Sequence, residues 1–169
     1  MLLTADMKSV IATQRLCFAA TVTPDGKPNL SPKGTIRVYN DETLFFCDLG
    51  SPNTRKNLEY NPYMEINVVD IISRRGYRFF GKATVVTGSD ILKIAVGILR
   101  SEGEFNYHVK AIVMLKVEKA APLISPGYLH VHDEWEMREI YKKLRPELDE
   151  AFEKNIDEQG PVMGGVREE

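Results

Sequence analysis

Residues 43–70 read TLFFCDLGSPNTRKNLEYNPYMEINVVD, and this segment carries the clearest structural pattern in the chain. Its first part, from Leu44 to Leu49, is a compact aromatic and apolar run, which is typical of a buried strand. Asn61-Pro62 ends the polar segment that follows, because the residue before a proline avoids helical backbone angles. An extended pattern resumes from Met64 to Val69. The stretch therefore predicts two strands joined by one short basic helix.

The start of that helix is the first candidate site. Gly50 permits a tight turn, Ser51 is a good N-cap, and Pro52 fits the first helical position. The run from Thr54 to Asn57 then occupies the first turns, where free backbone N–H groups favour an anion. Its arginine adds a planar fork of donors and its lysine adds a point charge, a combination suited to phosphate. This pattern predicts a phosphate-binding turn between two strands.

A solvated helix is the alternative interpretation of the same residues. Arg55 and Glu59 are four positions apart, so they can pair on the helix surface and stabilise it by about 0.3–0.5 kcal/mol. On this stretch alone, a solvated helix is the more common outcome. Other parts of the chain decide between the two interpretations.

The composition is that of an ordinary globular protein. A length of 169 residues fits one domain with an extension, and 43% hydrophobic with 27% charged residues is enough to build a core. The net charge of −2 argues against a general nucleic-acid binder. The longest apolar runs are strand-sized, so we expect no membrane span.

The cysteines and the N-terminal residues indicate the cellular compartment that we expect for the protein. Cys17 and Cys47 each lie in a strand-like segment and are interpreted as buried thiols in a reducing compartment, although a disulfide between them stays open. The N-terminal residues MLLTADMKSV lack the basic region and long apolar run of a signal peptide. We therefore expect a cytoplasmic protein.

A second candidate site lies in the strand predicted from Asn29 to Tyr39. Its period of two places Ser31 and Lys33 on one face, which offers a hydroxyl and an ammonium group together. Pro32 cannot donate to a sheet ladder, so this end is an edge or a bulge. Gly34 allows another group to approach the backbone closely. The alternative is a polar outer face on an edge strand.

The remaining core elements follow from periodicity. Strands are predicted from Leu16 to Val22, from Tyr77 to Thr87 and from Tyr107 to Val117. Gly81 within the second of these indicates a bulge, a barrel bend or close contact with a ligand. A helix is predicted from Ser89 or Asp90 to about Arg100.

The composition changes after Lys119. We predict an irregular segment, a short extended piece at Leu129 to His132, and a helix that Asp133 caps. His130 and His132 point the same way on an extended piece, as metal ligands do, but no third ligand stands at a characteristic spacing. We therefore predict no metal site. The predicted domains are a barrel domain over residues 1–119 and a C-terminal extension of a loop plus a helix over 120–169.

Six strands and two helices in this order resemble the pyridoxamine 5′-phosphate oxidase-like, FMN-binding split-barrel family, in particular its predicted flavin-nucleotide-binding branch. The resemblance covers about Met7 to Lys119. It is carried by LCFAATVTPDGKPNLSPKG (16–34), LFFCDLGSPNTRKNLEYNP (44–62) and RRGYRFFGKATVV (74–86). The implied fold class is mainly β with helices (α+β), a six-stranded antiparallel split β-barrel of Greek-key type with short peripheral helices and a helical C-terminal extension.

The resemblance also implies a homodimer that holds two FMN molecules in grooves at the subunit interface. Residues of the second strand would lie along the flavin and its phosphate side, those of the third strand would border the ring or ribityl chain, and those of the basic helix would hold the phosphate. In chain order the implied cofactor-binding residues are Ser31, Pro32, Lys33, Gly34, Phe46, Cys47, Asp48, Thr54, Arg55, Lys56 and Asn57. The last four agree with the phosphate-binding turn predicted from the helix start, and this agreement favours a phosphate site over a solvated helix.

The expected activity is that of an FMN-dependent oxidoreductase without an assigned substrate. The chain lacks the later Arg-x-His substrate motif of the true oxidase and runs through LISPGYLHVHDEW instead, which weakens pyridoxamine phosphate as a substrate. No catalytic residue is assigned. Two alternatives stay open: a flavin-binding or electron-transfer module without its own substrate, and a split-barrel reductase that binds the deazaflavin F420.

Overall fold

The computed structural model describes residues 2–88, 90–103 and 105–143, and an antiparallel sheet dominates it. Its helices are α1 (Ala5–Gln14), α2 (Pro52–Tyr60), α3 (Asp90–Ser101), a 3₁₀ helix at Pro126–Leu129 and a helical segment over residues 134–143. Its strands are β1 (Cys17–Val22), β2 (Pro28–Lys33), β3 (Arg37–Val38), β4 (Thr43–Asp48), β5 (Tyr63–Asp70), β6 (Arg75–Thr87) and β7 (Ala111–Ile124). No described helix is both long and apolar enough to cross a membrane.

The sheet has the order β2-β1-β5-β6-β7-β4-β3, and all six neighbouring pairs are antiparallel. The chain does not return from α2 to pair with β4. Instead β5 pairs with β1, and β7 later pairs with β4. This crossover curls the sheet into a split β-barrel, as predicted from the family resemblance.

The predicted second strand is divided in two, which raises the strand count from six to seven. β2 ends at Lys33, residues 34 and 35 form a turn, and β3 begins at Arg37. The hydroxyl oxygen of Thr35 accepts a hydrogen bond from the backbone N–H of Cys47 at 2.8 Å, so a side chain replaces a ladder bond at this point. Pro32 and Gly34 on either side of Lys33 favour this interruption, because one lacks an N–H and the other is flexible.

The last strand was predicted too early. Residues 105–109 form no regular element, and β7 runs through the segment after Lys119 that was predicted to be irregular. The cause is β6, which pairs with β7 from Thr87↔Ala111 to Arg75↔Ile124. Pro122 is tolerated because β4 pairs with β7 only as far as Lys116, so the later part of β7 is a sheet edge. The predicted extended piece at 129–132 is also wrong, since a 3₁₀ helix and bends occupy it.

The predicted irregularity at Gly81 is confirmed. The register of the β6–β7 ladder shifts between Phe80 and Gly81. A Cβ atom on Gly81 would lie 2.0 Å from the backbone oxygen of Lys116, so only glycine fits this close approach.

β4 is buried on both faces, as its aromatic and apolar sequence predicts. Leu44 and Phe46 enter the main core with residues of β1, β5 and β6, whereas Phe45 and Cys47 enter a second cluster beneath α3. Cys17 and Cys47 are both buried and free, which confirms the interpretation as thiols rather than a disulfide.

The chain divides into two compact units. The first contains residues 2–70 and 75–124, and the second contains residues 71–74 with the described residues after 124. In the second unit the Tyr128 hydroxyl donates to the backbone oxygen of Ser73 at 2.6 Å, and the Arg74 guanidinium lies 4.0 Å from the centre of the Tyr141 ring. Asp133 caps the helix over 134–143 by accepting from the Glu136 N–H at 2.9 Å, as predicted. The predicted boundary at 119/120 stays a prediction, and the sequence beyond residue 143 lies outside the described residues.

Candidate functional site

The turn between β4 and α2 is held by a carboxylate. Asp48 Oδ1 accepts hydrogen bonds from the backbone N–H groups of Gly50 at 3.2 Å and Ser51 at 2.8 Å. Ser51 occupies the N-cap position of α2, as predicted, but its side chain makes no capping hydrogen bond to the helix. The Ser51 hydroxyl instead accepts a hydrogen bond from Lys33 Nζ at 2.7 Å. The turn is therefore organised by Asp48 and tied to β2 by Lys33.

Lys33 is a buried cation. Its residue is only 7% exposed, and its Nζ lies 5.7 Å from the centre of the Phe46 ring. Burial lowers the pKa of the Lys33 ammonium, while the nearby Asp48 and Cys17 oppose this shift. Within the part of the chain that the structure describes, Lys33 makes no ion pair, and its hydrogen-bond partner is a neutral hydroxyl. A buried ammonium with so little compensation favours an added anion.

A small polar groove of about 200 Å³ is lined by both residues of the Lys33–Ser51 contact. The Ser31 and Thr54 hydroxyl oxygens lie 3.5 Å apart across it. The first turn of α2 contributes Asn53 and Thr54. Backbone N–H groups in the first turn of a helix have no carbonyl partner within that helix. The groove is lined by Asn29, Ser31, Lys33, Gly50, Ser51, Pro52, Asn53 and Thr54. Its hydroxyls, amides and one ammonium suit a phosphate group.

A larger groove of about 480 Å³ is also lined by both residues of this contact. It shares Lys33, Gly50 and Ser51 with the small groove and adds apolar and aromatic side chains. Its full lining is Pro32, Lys33, Gly34, Thr35, Cys47, Leu49, Gly50, Ser51, Phe105 and Tyr107. Burial raises the pKa of the Cys47 thiol to about 11, so this side chain is neutral at physiological pH. The volume and the mostly apolar lining are typical of a small-molecule site.

The structure brings most of the predicted cofactor residues together. Ser31 and Thr54 line the small groove, Pro32, Gly34 and Cys47 line the larger one, and Lys33 lines both. Phe46 lies beneath Lys33, and Asp48 holds the turn.

The other three predicted residues line neither groove. Arg55 Nε lies 3.7 Å from Asp48 Oδ2, and its side chain is 41% exposed. Lys56 is exposed. Asn57 is buried, and its amide nitrogen donates to the Thr21 hydroxyl at 2.9 Å. No ion pair joins Arg55 to Glu59 in the described residues, so the surface pair considered for this helix does not form.

Sequence reasoning missed part of the groove lining. Tyr107 was assigned to a strand because it alternates with the apolar residues after it, and Phe105 received no role. The available signal was the pair of aromatic residues, Phe105 and Tyr107, just beyond Gly103, since binding residues often lie on the loops between regular elements. Leu49 and Asn53 carried no signal of their own.

The curled antiparallel sheet places this chain among the split-barrel proteins. The family model described as pyridoxamine 5′-phosphate oxidase matches residues 3–119. The protein belongs to this family.

Solved structures support the assignment. HupZ of Group A Streptococcus is 32% identical over 72% of this chain and 94% of its own, with a TM-score of 0.64. An FMN-binding protein from Syntrophomonas wolfei is 17% identical over 72% of this chain and 85% of its own, with a TM-score of 0.61. HutZ, the heme storage protein from Vibrio cholerae, is 19% identical over 73% of this chain and 95% of its own, with a TM-score of 0.56. The last two share the fold alone. No functionally curated protein matches the sequence.

Proposed function

We propose that the protein is an FMN-binding flavoprotein and that it acts as an oxidoreductase through the bound flavin. The observation that carries this proposal is the Lys33–Ser51 contact, which joins a polar groove to an apolar, aromatic one. FMN has the same two parts, a phosphate tail and a flat aromatic ring. The two grooves therefore match the chemistry of its two ends.

The residues present fit this cofactor. Lys33, Ser31 and Thr54 would hold the phosphate, together with the backbone N–H groups at the start of α2. Thr35, Leu49 and the aromatic residues of the larger groove would hold the ring and exclude water from it. When bound, FMN supplies the ability to accept and donate electrons, and the protein supplies binding and orientation.

Lys33 is expected to contribute more to phosphate binding than Arg55 or Lys56. Asp48 Oδ1 already accepts hydrogen bonds from the backbone N–H groups of Gly50 and Ser51, and Asp48 Oδ2 lies 3.7 Å from Arg55 Nε. The Arg55 charge is thus partly neutralised and exposed to solvent, where screening weakens it. The ammonium of Lys33 is buried between the two grooves, so its interactions are screened far less.

We also propose that two copies of the chain associate through the outer face of β1, β2, β5 and β6. Register places Phe18 beside Pro32 and Ala20 beside Leu30, so the exposed Phe18 and Leu30 side chains share this face. The exposed Tyr63 and Phe80 rings stack 5.5 Å apart on the same face. Exposed apolar residues that adjoin across four strands are typical of an interaction surface.

A second copy is the favoured occupant because this face is continuous with the larger groove. Pro32 belongs to both, so a partner on the face would reach the edge of the groove. Replacing Phe18 and Leu30 together with Asp is expected to give a monomer with weakened FMN binding, measured by light scattering after size-exclusion chromatography and by flavin titration. Phe18 and Leu30 are largely solvent-exposed, so the fold should persist. A wild-type protein with the mass of one chain would contradict the dimer.

Two observations on the purified protein test the cofactor and the activity. The absorption spectrum of the released chromophore separates FMN from F420 and from heme, which the fold likeness to HutZ brings into consideration. Steady-state turnover with a reduced nicotinamide and a panel of acceptors separates an oxidoreductase from a flavin-binding or electron-transfer module. A colourless protein that does not bind added FMN would contradict the proposal.

We also propose a cytoplasmic location, because the two buried cysteines are free thiols. Finding the wild-type protein in the secreted fraction of cells would contradict this location.

A further inference from the structure

The larger groove has an aromatic wall on a segment without regular structure. Phe105 and Tyr107 lie within residues 105–109, which lead into β7. Their ring centres are 5.4 Å apart and the rings are tilted by 57°, so the two side chains support each other. Phe105 is half-buried against the cluster that contains Phe45 and Cys47, whereas Tyr107 is 62% exposed. Phe105 therefore packs against the core and supports the ring of Tyr107, which lines the groove.

An ion pair lies just before this wall in the chain. Glu102 Oε2 accepts a hydrogen bond from Arg37 Nε at 2.8 Å, and the Arg37 side chain is only 10% exposed. Arg15 approaches the same carboxylate oxygen at 3.7 Å. Charge-assisted hydrogen bonds are among the stronger hydrogen bonds in proteins. The side chain of Glu102, three positions before Phe105, is therefore tied to β3 through Arg37.

We propose that Tyr107, backed by Phe105, contacts the flat face of the ring of the bound nucleotide and selects planar aromatic ligands. This inference rests on the proposed FMN binding and deepens it. An exposed aromatic ring that lines an apolar groove loses water on contact with a flat aromatic ligand. Contacts between aromatic rings also contribute more binding free energy than the buried area alone accounts for. Lys33 stands in the same groove. The site then recognises two features of one ligand, an anionic tail and a planar head.

The test compares full-length wild-type protein with three variants, Tyr107→Ala, Tyr107→Phe and Tyr60→Ala. Tyr60 is a matched control, because it is 63% exposed at the end of α2 and lines neither groove. Two quantities are measured, the Kd of FMN by titration and the fluorescence of bound FMN at saturation. The second is informative because an electron-rich phenol in contact with a flavin quenches its emission, whereas a phenyl ring does not.

Tyr107→Ala should raise the Kd of FMN about tenfold, the size expected for a lost contact between an aromatic side chain and a flat heterocycle. It should also raise the emission of bound FMN. Tyr107→Phe should keep the affinity and raise the emission, and Tyr60→Ala should change neither. A purely structural role for Tyr107 would not brighten bound FMN in the Phe variant.

Three results would overturn the inference. Unchanged affinity and emission in Tyr107→Ala would show that the ring lies elsewhere. Weakened affinity without any change in emission, in both Tyr107 variants, would show that Tyr107 acts only by shaping the groove. Wild-type protein that does not bind FMN would overturn the proposed function and this inference together, whereas the first two results leave FMN binding intact.

Discussion

Replacing Lys33 with Met tests the centre of the site most directly. Methionine keeps an unbranched stem of similar length over the Phe46 ring, so packing changes little. The ammonium is removed, and with it the hydrogen bond to Ser51 Oγ. Any loss of ligand affinity then reports on charge rather than on a cavity.

The expected loss is large. Hydrogen bonds to charged groups contribute about 1.5–3 kcal/mol, and each 1.4 kcal/mol is a factor of ten, so the Kd of FMN should rise roughly 10- to 150-fold. Fluorescence titration of the apoprotein with FMN measures this change. Lys27→Met is the matched control, because the Lys27 side chain is 77% exposed on the β1–β2 connection and its partner is Asp25. FMN binding by Lys33→Met with wild-type affinity would refute the assignment of Lys33 to the phosphate.

The same variant should change the dependence of stability on pH. Burial lowers the pKa of Lys33 below its ordinary value of 10.5, so between the lowered pKa and 10.5 the unfolded chain binds more protons than the folded one. The free energy of unfolding of the wild-type apoprotein therefore gains a rising contribution as the pH increases through this window. Below the window, the buried charge opposes folding in full. Urea unfolding should show that contribution in the wild type and in Lys27→Met, and its loss in Lys33→Met.

Two further predictions concern the neighbouring charges and the thiols. The double variant Arg55→Ala with Lys56→Ala should weaken FMN binding less than Lys33→Met does. Because both side chains are exposed, its effect on the Kd should be smaller in high salt, and titrations at low and high ionic strength measure this. A loss of affinity larger than that of Lys33→Met would contradict the proposed order. Burial raises the pKa of Cys17 to about 12 and that of Cys47 to about 11, so both thiols should resist alkylation near neutral pH until the protein unfolds. Mass spectrometry after iodoacetamide treatment counts the labelled thiols, and fast labelling of the native protein would contradict this expectation.

The fold around residues 43–70 was predictable because its signals are local. An apolar run, a proline at the first helical position and an Asn-Pro stop are each encoded within a few residues, and β4, α2 and β5 follow them closely. The limits of β7 were not predictable in this way. They depend on β6, a partner that pairs with it over thirteen positions and extends it to Ile124.

In the candidate site too, local features were predictable and long-range contacts were not. The residue types of the phosphate groove could be identified from Ser31, Lys33 and Thr54, since hydroxyls and cations near a helix start are typical of an anion-binding site. The contacts among them were not visible, because Lys33 and Ser51 are separated by 18 positions and meet only when β2 and α2 are in place. Tyr107 reaches the groove through the pairing of β4 with β7, which no local pattern encodes.

The carboxylate of Asp48 has a consequence for the proposed uptake of FMN. Its hydrogen bonds from the backbone N–H groups of Gly50 and Ser51 shape the loop from within the chain. FMN would then dock on a loop whose geometry the protein itself sets, and the loop would keep that geometry after FMN leaves.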